Sequence, residues 1–175
     1  NGRPIRPWEK PLMHLFSPAS WAPSGHDVPL YVAHGTLDFP LENSQVLTNR
    51  YLDLGYKLDQ DWPNLGHAVW KKTYKKAGLF PWLTKWQKDP DPTYVRLVTG
   101  QLRLGRKFWL RLTEFEPSLE LAEADARILP NNHVTVHTRG VSGLCLHETT
   151  HLDKSQPVHL DIDAQSLETT LGTLR

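Results

Sequence analysis

The spacing of hydrophobic and polar positions changes character twice along this chain. Residues 30–33 form an unbroken apolar run, which reads as a short strand buried on both faces. Across 41–54, Leu41, Val46, Leu47, Tyr51 and Leu54 fall near helical spacing, and Gly55 supplies a C-terminal stop. Tyr56, Leu58, Gln60 and Trp62 then alternate with Lys57, Asp59 and Asp61, predicting a partly exposed strand. A helix is expected from His67 through Val69, Trp70 and Tyr74 to Gly78, with Lys71, Lys72, Lys75 and Lys76 on a solvated face. A second short helix is expected over 80–87.

Asp89-Pro90-Asp91-Pro92 ends that texture, because two prolines cannot continue a helix, and it predicts a domain boundary near residue 90. Beyond it come short alternating runs at 94–99, 107–113, 122–129, 133–138, 143–147 and 157–163. Gly100, Gly105, Pro117, Asn131-Asn132 and Gly140 punctuate them at the intervals of an antiparallel β-sandwich. Ahead of the first strand, six prolines between Pro4 and Pro29 allow one short helix around Trp8, Leu12, Met13, Leu15 and Phe16, in a lead-in where His14 and His26 face solvent. Residues 1–90 are therefore expected to be α/β and 91–175 all-β.

Composition narrows the function classes. At 175 residues, 39% hydrophobic and 22% charged, the chain has the size and balance of one or two modest globular domains. A net charge of +1 makes no case for nucleic acid or a membrane surface as partner. No apolar run is long enough to span a membrane, and no signal-peptide pattern opens the chain, so the compartment is left open. The single cysteine, Cys145, excludes an internal disulfide framework, and its place in Leu144-Cys145-Leu146 is that of an inert core thiol.

The candidate chemistry lies in two short segments. The first, VPLYVAHGTLD at 28–38, delivers Asp38 into a loop at the end of a strand; the second, WPNLGH at 62–67, presents His67 after Gly66. Through HGTLD at 34–38 and LGH at 65–67, in the order strand, acid loop, helix, strand, Gly-His, the chain resembles the α/β-hydrolases, and among them the prolyl-oligopeptidase-like serine hydrolases. That resemblance implies a peptidase or carboxylesterase acting through a Ser-Asp-His triad, with His67 as general base and Asp38 as its orienting carboxylate. Several hydrolases of that group carry a β-rich C-terminal extension, and the sequence from Val95 to Asp163 resembles one. Phe39-Pro40-Leu41 departs from the acidic and β-branched residues that such loops often carry.

The nucleophile is missing from this reading. An elbow needs Gly-x-Ser-x-Gly between strand and helix, and neither Pro23-Ser24-Gly25 nor Gly140-Val141-Ser142-Gly143 has that spacing or setting. With no initiator Met at Asn1, the expectation is the C-terminal portion of a serine hydrolase, inactive alone. Its partner is then the missing N-terminal part that carries the serine, its substrate an ester or peptide, and no cofactor or metal is expected. A naturally short protein that keeps the scaffold for another purpose is the alternative on this point.

Two further alternatives come from other segments. His147-Glu148-Thr149-Thr150-His151 matches H-E-x-x-H, which on a helix binds zinc. Its threonines and the preceding alternation favour a strand, in which positions i and i+4 stand roughly 13 Å apart by strand rise. The metzincin continuation also fails, with Lys154 and Pro157 at the positions of Gly and His. His133, His137 and His159 fall on the polar faces of strands. The last alternative is a non-catalytic binding module built on the sandwich, using Phe108, Trp109 and Phe115.

Overall fold

The structure is a computed structural model that describes residues 4–75, 78–118 and 120–170. Helices and three separate sheets are mixed along the chain. The lead-in carries two helices where one was expected, α1 (Glu9–Phe16) and α2 (Pro18–Trp21). Pro18 opens α2 at a position whose N–H a helix leaves unused. Two compact units follow: residues 25–89 make the smaller, and those up to Ser24 join those from Pro90 onward in the larger.

The break at Pro90 falls in the expected proline run, whereas the lead-in groups differently from the expected 1–90 unit. Specific contacts hold it in the larger unit. The Ser24 hydroxyl accepts from the Val98 N–H at 2.7 Å and lies 3.1 Å from the Val98 carbonyl, and the Lys107 ammonium bonds the Ser24 carbonyl. Leu15 sits so close to Gly100 that a Cβ there would meet it at 2.4 Å.

The smaller unit runs β1 (Leu30–Ala33), α3 (Leu41–Asp53), β2 (Leu58–Asp61), α4 (Trp70–Lys75) and α5 (Leu79–Thr84). β1 and β2 pair in parallel, Leu30 opposite Leu58 and Ala33 opposite Asp61, with α3 as the connection that parallel strands require. All four β1 residues are half-buried rather than buried on both faces. Gly55, at φ +69, closes α3 in a Schellman turn: its N–H donates to Leu52 at 2.9 Å and that of Tyr56 to Tyr51 at 3.0 Å.

The inward face of α3 differs from the hydrophobic pattern. Thr48 and Tyr51 are buried and Ser44 is half-buried, while Val46 is exposed. Thr48 tolerates this because its hydroxyl donates to the Gln45 carbonyl at 3.1 Å. α4 begins at Trp70, so His67 stays in the preceding loop; the expected continuation through Lys76 lies outside the described residues. His26 is mostly covered, with Nδ1 3.6 Å from Asp27, and is not the solvent-facing side chain expected.

In the larger unit, β3 (Tyr94–Thr99), β4 (Arg106–Lys107), β5 (Leu110–Phe115), β6 (Ala122–Leu129), β7 (His133–Arg139), β8 (Val141–Leu146), β9 (Val158–Ile162) and β10 (Gln165–Thr169) form two sheets. One has the order β10-β9-β7-β6-β3 and the other β4-β5-β8. The single run expected over 107–113 is two strands, because Phe108 at φ +51 turns the chain and sets Lys107 opposite Leu110.

All pairs in the larger unit are antiparallel except β7 with β9, which run parallel, His133 opposite His159. Strand β10 has no counterpart among the expected elements. Alternate residues of both sheets, among them Val95, Leu97, Leu110, Leu112, Val134, Val136, Leu146 and Leu160, meet in one hydrophobic cluster around Trp109. Among the described residues, no helix is long and apolar enough to cross a membrane.

Candidate functional site

Two loops of the smaller unit lie backbone against backbone, and this sets the distance between the two expected site residues. The Thr36 N–H donates to the Pro63 carbonyl at 2.9 Å and the Leu37 N–H to the Leu65 carbonyl at 3.0 Å. Gly35 makes the approach possible: a Cβ there would stand 2.1 Å from the Leu65 oxygen and 2.4 Å from the Gly66 oxygen. The Asp38 N–H turns back onto the Gly35 carbonyl at 2.9 Å, aiming the carboxylate across the gap.

Asp38 and His67 meet there. His67 Nδ1 lies 2.8 Å from Asp38 Oδ2, while Oδ1 accepts the Phe39 N–H at 3.0 Å. The hydrogen bond from His67, with the smaller help of its charge, of the Phe39 N–H and of the His34 charge, outweighs desolvation and holds the Asp38 carboxyl below its ordinary value. An ionised carboxylate only accepts, so Nδ1 carries a proton, and in the neutral tautomer that this selects the lone pair is on Nε2. Nε2 has no hydrogen-bond partner among the described residues, and the His67 side chain is 83% exposed, with the Trp70 ring edge-on at 5.6 Å.

A second histidine flanks the same carboxylate. His34 Nε2 is buried without a hydrogen bond, 3.8 Å from Asp38 Oδ2, and His34 Nδ1 meets Ser44 Oγ at 2.7 Å. Sequence reasoning used His34 only as part of a motif and gave Ser44 no role. The signal was the helical phase of α3, in which Ser44 sits one turn before Thr48. Ser44 is the sole serine of 25–89, and it is engaged with His34 rather than facing His67.

The remaining expected sites do not converge. The 147–151 segment is neither helix nor strand. The His147 N–H donates to the Trp109 carbonyl at 2.6 Å, its ring lies 3.9 Å from Cys145 Sγ, and His151 Nε2 bonds the Asp91 carbonyl at 2.6 Å. The two histidines of the zinc motif thus serve different neighbours, and Glu148 pairs with Lys154 at 2.8 Å. His133 bonds Asp161 at 2.7 Å and His159 lies 3.5 Å from Glu168. Among the described residues, no three His, Cys, Asp or Glu side chains are grouped to hold a metal. Compared with protein-family models, with curated proteins and with solved structures, the chain matches none.

Proposed function

We propose that the smaller unit supplies the acid and base of a serine hydrolase, a peptidase or carboxylesterase that forms an acyl-enzyme. The observation that carries this reading is the 2.8 Å contact between His67 Nδ1 and Asp38 Oδ2, with Nε2 left open. Nε2 takes the proton of an attacking hydroxyl and later returns it to the leaving group. Asp38 holds the ring in the tautomer that makes this possible and stabilises the imidazolium in between.

The nucleophilic serine and the oxyanion hole belong, in this proposal, to a segment outside these 175 residues, on a strand-to-helix elbow. β1, α3 and β2 are then the last part of an α/β-hydrolase sheet, and the two sheets of the larger unit, sharing one core, form a β-sandwich extension. What supports the first assignment is the parallel β1–β2 pair with the acid at the C-terminal end of β1 and the histidine beyond β2.

The test uses the complete polypeptide that carries this segment, assayed on a p-nitrophenyl ester and a chromogenic peptide. His67→Ala is expected to lower turnover by about 10⁴-fold or more, and Asp38→Asn by about 10⁴-fold, with the fold unchanged by circular dichroism. A His67→Ala protein with undiminished turnover on both substrates overturns the reading. The 175-residue chain by itself is expected to turn over neither substrate faster than its own His67→Ala variant.

A further inference from the structure

The outer face of the β4–β5–β8 sheet carries charges that the chain does not balance. Arg106 stands directly opposite Arg111 in the β4–β5 pair, and Arg111 directly opposite Cys145 in the β5–β8 pair. Leu110, Leu112 and Leu146 point into the core, so this row faces the other way. Both arginines are exposed, and neither has a carboxylate within ion-pair reach among the described residues. Like charges directly opposite each other on neighbouring strands destabilise a sheet.

The surroundings sharpen this imbalance. His147 follows Cys145 on the same side, its ring 3.9 Å from the thiol. Burial, then the charges of Arg106 and Arg111, keep its imidazole below its ordinary pKa, so the row has a neutral histidine beside two cations. Next to Arg106 opens a hollow of about 620 Å³ lined by Phe108, Trp109, Asp91, Glu148 and Lys154. Its acids are already committed: Asp91 accepts the N–H and hydroxyl of Thr150, each at 2.7 Å, and Glu148 holds Lys154.

We propose that Arg106 and Arg111 form an oxyanion-binding site, taking the carboxylate or phosphate group of a small ligand whose apolar part lies in the adjoining hollow against Phe108. Arginine suits this role because its planar donors bind both oxygens of such a group at once. The β4–β5 register sets the two arginines directly opposite each other on neighbouring strands, so both can reach one anionic group. The site is independent of Asp38 and His67. It gives the larger unit a binding function of its own.

Cys145, the chain's only cysteine, is half-buried on the outer side of β8 and not in the core as its flanking leucines suggested, so it lies in the row and reports on it. The experiment compares its alkylation rates by iodoacetate, an anion, and iodoacetamide, its neutral counterpart, in the native chain and in an Arg106→Gln/Arg111→Gln variant. The iodoacetate-to-iodoacetamide ratio is expected to be about fivefold higher in the native chain, a small Coulomb effect of two surface charges, and to shrink with added salt. Inorganic phosphate and glutarate are the competing probes. Saturable protection by phosphate alone marks a phosphate site, protection by glutarate alone a carboxylate site, and either supports the proposal when the double variant loses it. An equal ratio in both proteins, or no saturable protection by either anion, overturns it. If folded Cys145 resists both reagents, calorimetric titration with the same two anions decides, and identical heats for native and variant chains overturn the site.

Discussion

Trp109 in the larger unit is 1% exposed and its indole N–H bonds the Pro92 carbonyl at 2.6 Å, whereas in the smaller unit Trp70 stands open beside His67 and Phe39 is 87% exposed. The contrast holds throughout. Of the buried apolar side chains among the described residues, 25–89 contributes Tyr51 and Pro63, while both sheets of the larger unit fill a single cluster. In the smaller unit, backbone hydrogen bonds between two loops and one helix cap set the geometry, and apolar side chains such as Leu37 stay on the surface. Order in the larger unit rests on packing, and the candidate site rests on main-chain contacts at Gly35. The two are therefore open to different kinds of damage.

The largest expected effect is on the packed side. Trp109→Ala removes the centre of the cluster and a buried hydrogen bond, and should cost roughly 3–5 kcal/mol in denaturant unfolding of the larger unit. The far-downfield Nδ1 proton resonance expected from the His67–Asp38 hydrogen bond should survive; its loss together with the core would show that the units do not separate as described.

Gly35→Ala attacks the other side. Its methyl group would run into the Leu65 and Gly66 carbonyls, forcing the loops apart at about 1–3 kcal/mol and removing the same resonance, while the unfolding transition of the larger unit stays put. A retained resonance would mean that something other than this backbone approach positions His67.

A smaller effect is expected on the outer face of the five-stranded sheet, where Glu123 accepts from Arg96 Nε at 2.8 Å and from Arg139 at 2.9 Å. Burial pushes the Glu123 carboxyl up, but the hydrogen bonds and charges of the two arginines outweigh it and hold it below its ordinary value. A carboxyl lowered by folding stabilises at pH above its unfolded value and loses that contribution as pH falls through the folded one. Thermal stability of the larger unit should therefore decline below about pH 4, and Glu123→Gln should flatten that decline while costing about 1–2 kcal/mol at neutral pH. An unchanged acid limb would remove the ion pair from the account.

The smallest effect separates His34 from His67. With His34→Ala the minor contribution of its charge to Asp38 disappears, so the Asp38 carboxyl should titrate slightly higher, as followed by carbon-13 shifts. A fall instead would mean that His34 competes with His67 for the carboxylate.

Much of this arrangement was legible in the residues. That Asp38 and His67 would come together was legible because each follows a strand and a glycine, and such positions are fixed by local chain direction. Gly55 announced the end of α3, and the 94–99 and 122–129 runs became strands with the same bounds. The misses have physical causes as well. Hydrophobicity placed Val46 inward, but α3 turns Ser44 and Thr48 in, since their hydroxyls find partners at hand. Phe108 and Trp109 look like strand residues, and only a left-handed φ at Phe108 splits the run. β10, with Ser166 and Glu168 on its outer side, carries almost no apolar signal and exists through its pairing with β9. The Arg106–Arg111 row depended on that unseen turn.

The parallel pairing of β7 with β9 has a bearing on how the chain reaches this form. β6 and β7 are neighbours in sequence, as are β9 and β10, and each couple can close by a short turn. Joining β9 to β7 instead means drawing together strands separated by β8 and the irregular stretch that holds His147 and His151. Closing such a loop costs entropy before any contact rewards it. The β9–β10 hairpin should therefore dock after the β6–β7 hairpin has formed, making the far edge of the large sheet the late-arriving part of the fold and the first place for amide hydrogens to exchange.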